Sequence, residues 1–384
     1  MTGGPNMRFD TRLVHVGQEA DAGTGDVVPA VHVATTFERR VQDPPRYFYA
    51  RGENPTAEGL EQCLASLEDA RFSTVFASGQ AAGAAVLALL RPGQRLVACD
   101  DVYGGTHALF QTAARYGIGV EHVDLTDRSA VAAALGDDVG LMWIETPTNP
   151  LLKVVDLEEV CGLARERGVR VVVDNTFAGP ALQQPLRFGA DVSLYSTTKS
   201  IAGHYDVLGG ALVHDDAELD RAFRSHRATI GGVPGALDCF LVHRGLKTLS
   251  LRTARQVQNA RALVAALRDC EHVGALHYPG LREHPRYETA TRQMSAPGSV
   301  FSFRYLGDTD RALGRLRLFS VAVSLGGVRS LVERPATMTH AAVPRDVRLR
   351  LGVTDDLIRV SAGIEDPADL LDDLLTALRH GGMP

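Results

Sequence analysis

Val169-Arg170-Val171-Val172-Val173-Asp174-Asn175-Thr176 and, one connection later, Val192-Ser193-Leu194-Tyr195-Ser196-Thr197-Thr198-Lys199 decide the fold. Each is an apolar, β-branched run that stops at a string of polar residues. Val171–Val173 is apolar without alternation, as a strand in a sheet covered on both faces requires. The same pattern extends upstream. Thr74–Ala77, Arg95–Cys99, Gly119–Val123 and Gly140–Ile144 read as strands. Between them Gly79–Leu90, His107–Tyr116, Asp127–Ala134 and Leu157–Arg167 read as helices. Short strands alternating with helices argue βαβ units and a mostly parallel sheet, so the fold class is α/β.

Outside this region the pattern changes. Residues 1 to about 50 lack sustained periodicity and read as an extended arm, which in a soluble protein needs a surface to pack on, such as a second subunit. A long helix is expected from Pro234 to Leu267, with a break near Gly245. Beyond it, Val300–Arg304, Ser320–Val323 and Leu357–Val360 read as strands, with helices at Asp310–Leu316 and Pro367–Leu378. That is a smaller α+β unit. The expected division is an arm over 1–51, a large domain over 52–247 and a C-terminal domain over 248–384.

Composition excludes several function classes. The 384 residues suit two domains rather than one. The balance of 40 Lys+Arg against 46 Asp+Glu gives −6, without the basic footprint of a general nucleic-acid binder. Cys63, Cys99, Cys161, Cys239 and Cys270 are scattered, so no zinc or redox pair is visible, and the odd number fits a reducing compartment. The 13 histidines show no ligand spacing, so no metal is expected. Met1–Asp10 carries no apolar signal core, and Ala81–Leu90 is too short to span a bilayer. The stripe around Ala260–Leu267 reads as core rather than a membrane face. A cytoplasmic protein is the expectation.

Four features fall at strand ends, where open α/β sheets bind ligands. Ser78-Gly79-Gln80 joins a strand to a helix, and its small residues let backbone N–H groups approach an anion; the same residues also serve as a plain βα turn. Asp174 ends its strand partly desolvated and needs a cation or several donors, unless it caps a helix. Lys199, among Ser196, Thr198 and Ser200, lies at the same edge. Up to residue 247 the lysines are only Lys153, Lys199 and Lys247, with Arg carrying nearly all other positive charge. A lysine that can lose its proton fits Schiff-base chemistry, although a loop lysine is the common case. Tyr103, in Asp101-Val102-Tyr103-Gly104-Gly105-Thr106, can lay its ring over a planar ligand or simply pack in a turn. Taken together, a Schiff-base lysine, an acid for a ring nitrogen and a phosphate cradle are the signature of pyridoxal 5'-phosphate (PLP).

With these features the chain resembles the Cys/Met-metabolism family of PLP-dependent enzymes, which includes cystathionine γ-synthases, cystathionine lyases, methionine γ-lyases and homoserine sulfhydrylases. The resemblance covers nearly the whole chain. It runs through Tyr49-Ala50-Arg51-Gly52-Glu53-Asn54-Pro55-Thr56, Glu145-Thr146-Pro147-Thr148-Asn149-Pro150, Asp174-Asn175-Thr176-Phe177, Ser196-Thr197-Thr198-Lys199, Arg244-Gly245-Leu246-Lys247-Thr248-Leu249 and Pro335-Ala336-Thr337-Met338-Thr339-His340. It implies an aminotransferase-like (fold type I) large domain with a seven-stranded, mostly parallel sheet, plus a small α+β C-terminal domain.

The resemblance also implies roles. Lys199 matches the lysine that holds the cofactor as a Schiff base, and Asp174 the acid that keeps its ring nitrogen protonated. Gly79 and Gln80 match the backbone donors to phosphate, with Ser196 and Thr198 adding hydroxyls. Tyr49 and Arg51 match residues that reach the phosphate of a neighbouring subunit, which makes the active unit at least a homodimer and implies a dimer of dimers. Tyr103 matches the ring-stacking tyrosine and is placed to protonate a departing sulfur. Asn149 matches a residue near the cofactor's phenolic oxygen, on the substrate side. Arg359, helped by Ser324, matches the clamp for the substrate carboxylate, a task suited to a planar guanidinium.

Specificity turns on the distal pocket. Cystathionine-processing relatives are expected to carry acids just before the positions of Tyr49 and, often, Ser324. Here those positions are Phe48 and Val323, apolar as in methionine γ-lyases. A distal ammonium would meet no counter-charge there. The expectation is therefore a methionine γ-lyase-like activity releasing 2-oxobutyrate, ammonia and a thiol. Cystathionine γ-lyase or γ-synthase is the alternative, favoured by Gly105, where methionine γ-lyases usually carry Cys, and by Gly231–Asp238. Arg329 also departs from related chains, which often carry a neutral or acidic residue there. A catalytically silent PLP-binding scaffold is the reading from another class, and the intact set Lys199, Asp174, Tyr103 and Arg359 argues against it.

Overall fold

The computed structural model describes residues 7–39, 41–42 and 46–381. A seven-stranded sheet forms the centre of the larger part. Its strands are β1 (Phe72–Phe76), β2 (Arg95–Cys99), β3 (Gly119–Val123), β4 (Val139–Glu145), β5 (Arg170–Asp174), β6 (Val192–Tyr195) and β7 (Gly210–His214). They lie in the order β1-β7-β6-β5-β4-β2-β3. All neighbours pair in parallel except β7, which runs antiparallel between β1 and β6. The carboxyl ends of β1, β2, β4, β5 and β6 therefore open onto one edge.

Helices cover both faces, as the unbroken apolar strands require. Alternate residues of β7 go to different cores, Leu212 to one and Ala211 and Val213 to the other. Before the sheet come α1 (Phe9–His15) and α2 (Pro55–Leu67). Asn54 starts α2 by accepting hydrogen bonds from Thr56 N and Ala57 N, with Pro55 at the first helical position. Within the sheet region follow α3 (Gly79–Leu87), α4 (Gly104–Ala114), α5 (Arg128–Ala134) and α6 (Leu157–Glu166). After it come α7 (Ala217–Ile230), α8 (Ala236–Leu246) and α9 (Leu249–Arg268).

The rest of the chain builds a second sheet from β8 (Val273–His277), β9 (Val300–Tyr305), β10 (Ser320–Val321), β11 (Leu331–Glu333) and β12 (Leu357–Ser361), in the order β10-β11-β12-β9-β8. Short helices α10 (Tyr287–Gln293), α11 (Thr309–Leu313) and α12 (Arg345–Leu351) connect it, and α13 (Pro367–Gly381) closes the chain. Leu263, Val264 and Leu267 of α9 and Leu370, Leu374 and Leu378 of α13 bury against Phe301, Phe303, Ile358 and Val360. The stripe near Ala260 is thus core.

Several elements differ from expectation. The arm carries the short helix α1. The long helix is two, α8 and α9, interrupted at Lys247 and Thr248. The strand expected over Ser320–Val323 stops at Val321, where its pairing with β11 ends. The elements α2, α7, α10, α12, β7, β8 and β11 lie outside the expected pattern. Among the described residues no helix is long and apolar enough to cross a membrane, and no His, Cys, Asp and Glu group is arranged to hold a metal.

Candidate active site

Five strand ends of the large sheet converge with β12 and the loop after β10 of the second sheet on a single cleft. Its walls include Ser78, Gly79, Gln80, Tyr103, Glu145, Asn149, Asp174, Ser196, Thr198, Lys199, Val323, Ser324 and Arg359. The parallel register explains the placement. Glu145 pairs with Asp174, and Asp174 with Leu194, so the polar residues that end β4, β5 and β6 come out side by side.

Asp174 accepts a hydrogen bond from Thr176 N at 3.1 Å, and among the described residues no cation forms a salt bridge with it. Burial raises its pKa above the ordinary carboxylate value, and the Thr176 hydrogen bonds pull in the opposite direction. Glu145 accepts from Tyr103 N at 2.9 Å and Asn149 N at 3.0 Å. Burial, and then the neighbouring Asp174, hold its carboxyl well above the usual range. A buried acid without a cation is costly, and a protonated ring nitrogen beside Asp174 would satisfy it.

The other end of the cleft suits an anion. Ser78 caps α3 by accepting from Ala81 N at 3.1 Å, which leaves the Gly79 and Gln80 N–H groups in the first turn without helical carbonyls. A β-carbon on Gly79 would lie 3.0 Å from Ser196 Cβ, so glycine lets this turn approach the Ser196 loop. Thr198 Oγ1 donates to Gly209 O at 3.2 Å and accepts from Gly209 N at 2.9 Å, which fixes the loop before Lys199. Arg252 of α9 fixes it from behind, donating to Ser200 O at 2.7 Å, Ile201 O at 3.2 Å and Gly245 O at 2.7 Å. The acid, the lysine and the anion cradle fit a planar, phosphorylated, nitrogen-containing group.

Lys199 Nζ donates to Ser324 Oγ at 2.8 Å. Its pKa falls to about 8, chiefly through burial, then through Arg359, with Glu333 opposing. Ser324 carries φ +94°, an uncommon backbone for a non-glycine, and its carbonyl accepts from Arg359 Nη2 at 2.8 Å. Arg359 also donates from Nη1 to Asn149 Oδ1 at 2.7 Å. Tyr103, 41% exposed, and Val323, 53% exposed, stand at the mouth.

Thus Lys199, Asp174, Gly79, Gln80, Ser196, Thr198, Tyr103, Arg359, Ser324, Asn149 and Val323 meet in one cleft. Tyr49, Arg51 and Phe48 do not. Tyr49 bridges to Thr36, and Arg51 donates to Ala228 O and lies over the Tyr49 ring. Phe48 is 69% exposed. No role had been assigned in advance to Glu145, or to Glu333, which pairs with Arg359 at 2.8 Å. Glu333 ends the apolar run Leu331-Val332 as Asp174 ends its own, so the signal was present in the sequence.

Comparison with known proteins agrees with this geometry. A family described as "Cys/Met metabolism PLP-dependent enzyme" matches residues 10–379. A cystathionine gamma-synthase of Mycobacterium tuberculosis is 46% identical over 375 residues, covering 96% of each chain. Two solved structures of CalE6 from Micromonospora echinospora are each 63% identical. One, described as a cystathionine gamma lyase, superposes with TM-score 0.96 over 97% of this chain and all of its own. The other, described as an apo methionine gamma lyase, superposes with TM-score 0.92 over 97% of this chain and 99% of its own.

Proposed function

This chain belongs to the Cys/Met-metabolism family of PLP-dependent enzymes, acting on carbon–sulfur bonds, and from that premise we propose that it is a γ-lyase of methionine-like thioethers. The observation that carries the substrate class is the wall beside Ser324. Val323 lines the cleft there, and the acids of the lining, Glu145 and Asp174, both end strands of the large sheet. A distal ammonium would lose its water without gaining a counter-charge, whereas a methyl thioether would bury apolar surface.

In this reading Lys199 holds PLP, Asp174 faces its ring nitrogen, and Gly79, Gln80, Ser196 and Thr198 take its phosphate. PLP supplies an electron sink for the pair left when the α-proton is removed. Arg359 binds the substrate carboxylate, with Asn149 and the Ser324 carbonyl holding the guanidinium. Once the substrate amine has taken its place, the freed Lys199 amine, whose pKa burial lowers to about 8, takes the α-proton. A proton is then removed from Cβ, the pair it leaves expels the sulfur as the Cγ–S bond breaks, and Tyr103 gives its hydroxyl proton to that sulfur. L-Methionine and water then yield 2-oxobutyrate, ammonia and methanethiol. The off-cleft position of Phe48, Tyr49 and Arg51 supports the reading that they serve the cleft of a second copy.

Cystathionine is the second reading, favoured by Gly105 and by the names of several relatives. A panel of L-methionine, L-homocysteine, L-cystathionine, and an O-acylhomoserine with cysteine decides between them, following 2-oxobutyrate, thiol and cystathionine. The expected outcome is thiol and oxo acid from methionine, with kcat/KM for cystathionine at least about tenfold lower, the cost of one unpaired charge at a partly wet wall. Efficient cystathionine turnover with inert methionine would replace our choice.

A further inference from the structure

Arg359 is 2% exposed and Glu333 1%, and strand register places them opposite each other, Glu333 on β11 and Arg359 on β12. Glu333 Oε1 stands 2.8 Å from Arg359 Nη1 and accepts from Thr339 Oγ1, also at 2.8 Å. The guanidinium is then held on three sides, by Asn149 Oδ1, by the Ser324 carbonyl and by Glu333. Arg359 Nε and Glu333 Oε2 are both buried without a partner, and Arg359 lines the cleft. An unpaired, buried charged donor is expensive, and an arriving carboxylate is what it lacks.

Thr339 extends the arrangement. Its carbonyl packs so close to Gly104 that a β-carbon there would overlap it, and Gly104 follows Tyr103. Glu333 therefore links the arginine to the turn that presents the tyrosine. A merely structural ion pair in a strand needs neither a third ligand nor a place in the wall of a cleft.

We propose that Glu333 is a positioning residue for substrate binding: by reach rather than by charge, it sets the Arg359 guanidinium so that its unused N–H groups meet the substrate carboxylate. The inference rests on the reading of Arg359 as the carboxylate clamp. Glu333→Asp keeps the negative charge but withdraws the oxygen by one methylene. Glu333→Gln keeps the reach, the acceptor for Thr339 and the volume, but not the charge.

The test uses holoenzyme and two ligands that cannot lose a thiol, L-norleucine and L-norleucinol, the second lacking the carboxylate. Both are titrated against the visible absorbance of bound PLP. We expect Glu333→Asp to weaken norleucine about tenfold while norleucinol changes less than about twofold, the scale of one charge-assisted hydrogen bond lost. Glu333→Gln should keep norleucine within about threefold of the parent, the same hydrogen bond being retained. With methionine, Glu333→Asp should raise KM more than it lowers kcat. Arg359→Lys separates the two ideas. If it leaves norleucine affinity unchanged, the clamp reading itself fails. If Arg359→Lys weakens norleucine but both Glu333 variants bind it normally, the role of Glu333 is overturned while the clamp stands. Equal weakening of both ligands in Glu333→Asp would overturn it too, as a general structural effect, and so would loss in Gln with retention in Asp, which would make charge the operative property.

Discussion

A β-carbon on Gly105 would overlap both the Tyr103 ring and the end of the Gln80 side chain. Glycine at this position therefore sets where the tyrosine ring lies and, through Gln80, touches the anion cradle. Gly105→Ala should push the ring and the end of the Gln80 side chain aside while leaving the cleft able to hold PLP, because Lys199, Asp174, Ser196 and the Gln80 backbone N–H are untouched. We expect kcat to fall by roughly ten- to a hundredfold, the cost of about an ångström of misplacement, with PLP content unchanged. Unaltered kcat would show that the tyrosine position does not limit the reaction. At this scale much of the cleft was legible. Asp174 announces itself because a charged residue that ends an apolar strand must emerge at the sheet edge, and Lys199 because its hydroxyl-rich loop follows the next strand at that same edge. What a strand-by-strand reading could not supply was pairing between distant strands. Glu333 becomes meaningful only when β11 and β12 are in register, and Glu145 only when Tyr103 and Asn149 are seen to donate to it.

The elements that carry these residues were partly readable, and β7 and α7 were missed for different reasons. The strand β7 enters antiparallel from the Lys199 loop, without the crossover helix that marks its parallel neighbours. The helix α7 buries little apolar surface beyond Leu219 and Phe223, although Asp216 caps it, accepting from Glu218 N at 2.6 Å. The helix α8 contacts the arm through a buried histidine. His243 bonds to Val16 O at 3.2 Å and Gln18 Nε2 at 3.0 Å, with Lys247 nearby. Burial, then Lys247, lower its pKa to about 3. A histidine with a depressed folded pKa favours the fold above its unfolded value near 6.5, and that contribution is lost as pH falls from there toward 3. Thermal melts should therefore show Tm dropping from pH 6.5 to 4. His340, lowered to about 4 mainly by burial, adds to the same slope. His243→Gln should flatten the drop in part, and an unchanged slope would remove the arm contact from the cause.

At the scale of the whole molecule, the alternation of strands and helices was enough for the large sheet, but the partner of the arm is not visible in one chain. Our reading puts Tyr49 and Arg51 into the cleft of a second copy. Arg51→Ala and Lys199→Ala should each be nearly inactive. Mixed under conditions of subunit exchange, they should regain about a quarter of parental activity, since half the dimers are hybrids with one intact cleft. No recovery after demonstrated exchange would place both residues in their own subunit. Chain order adds a consequence for synthesis. The large sheet is complete once β7 ends at His214, and by then Lys199, Asp174, Gly79 and Ser196 are all in place. Arg359 and Glu333 belong to strands made much later. At ribosomal speeds, Arg359 follows by about 150 residues, or roughly 10–30 s. For that interval a nascent chain owns the parts that would hold a cofactor and none of those that would recognise a substrate carboxylate, so the enzyme acquires its chemistry before its selectivity.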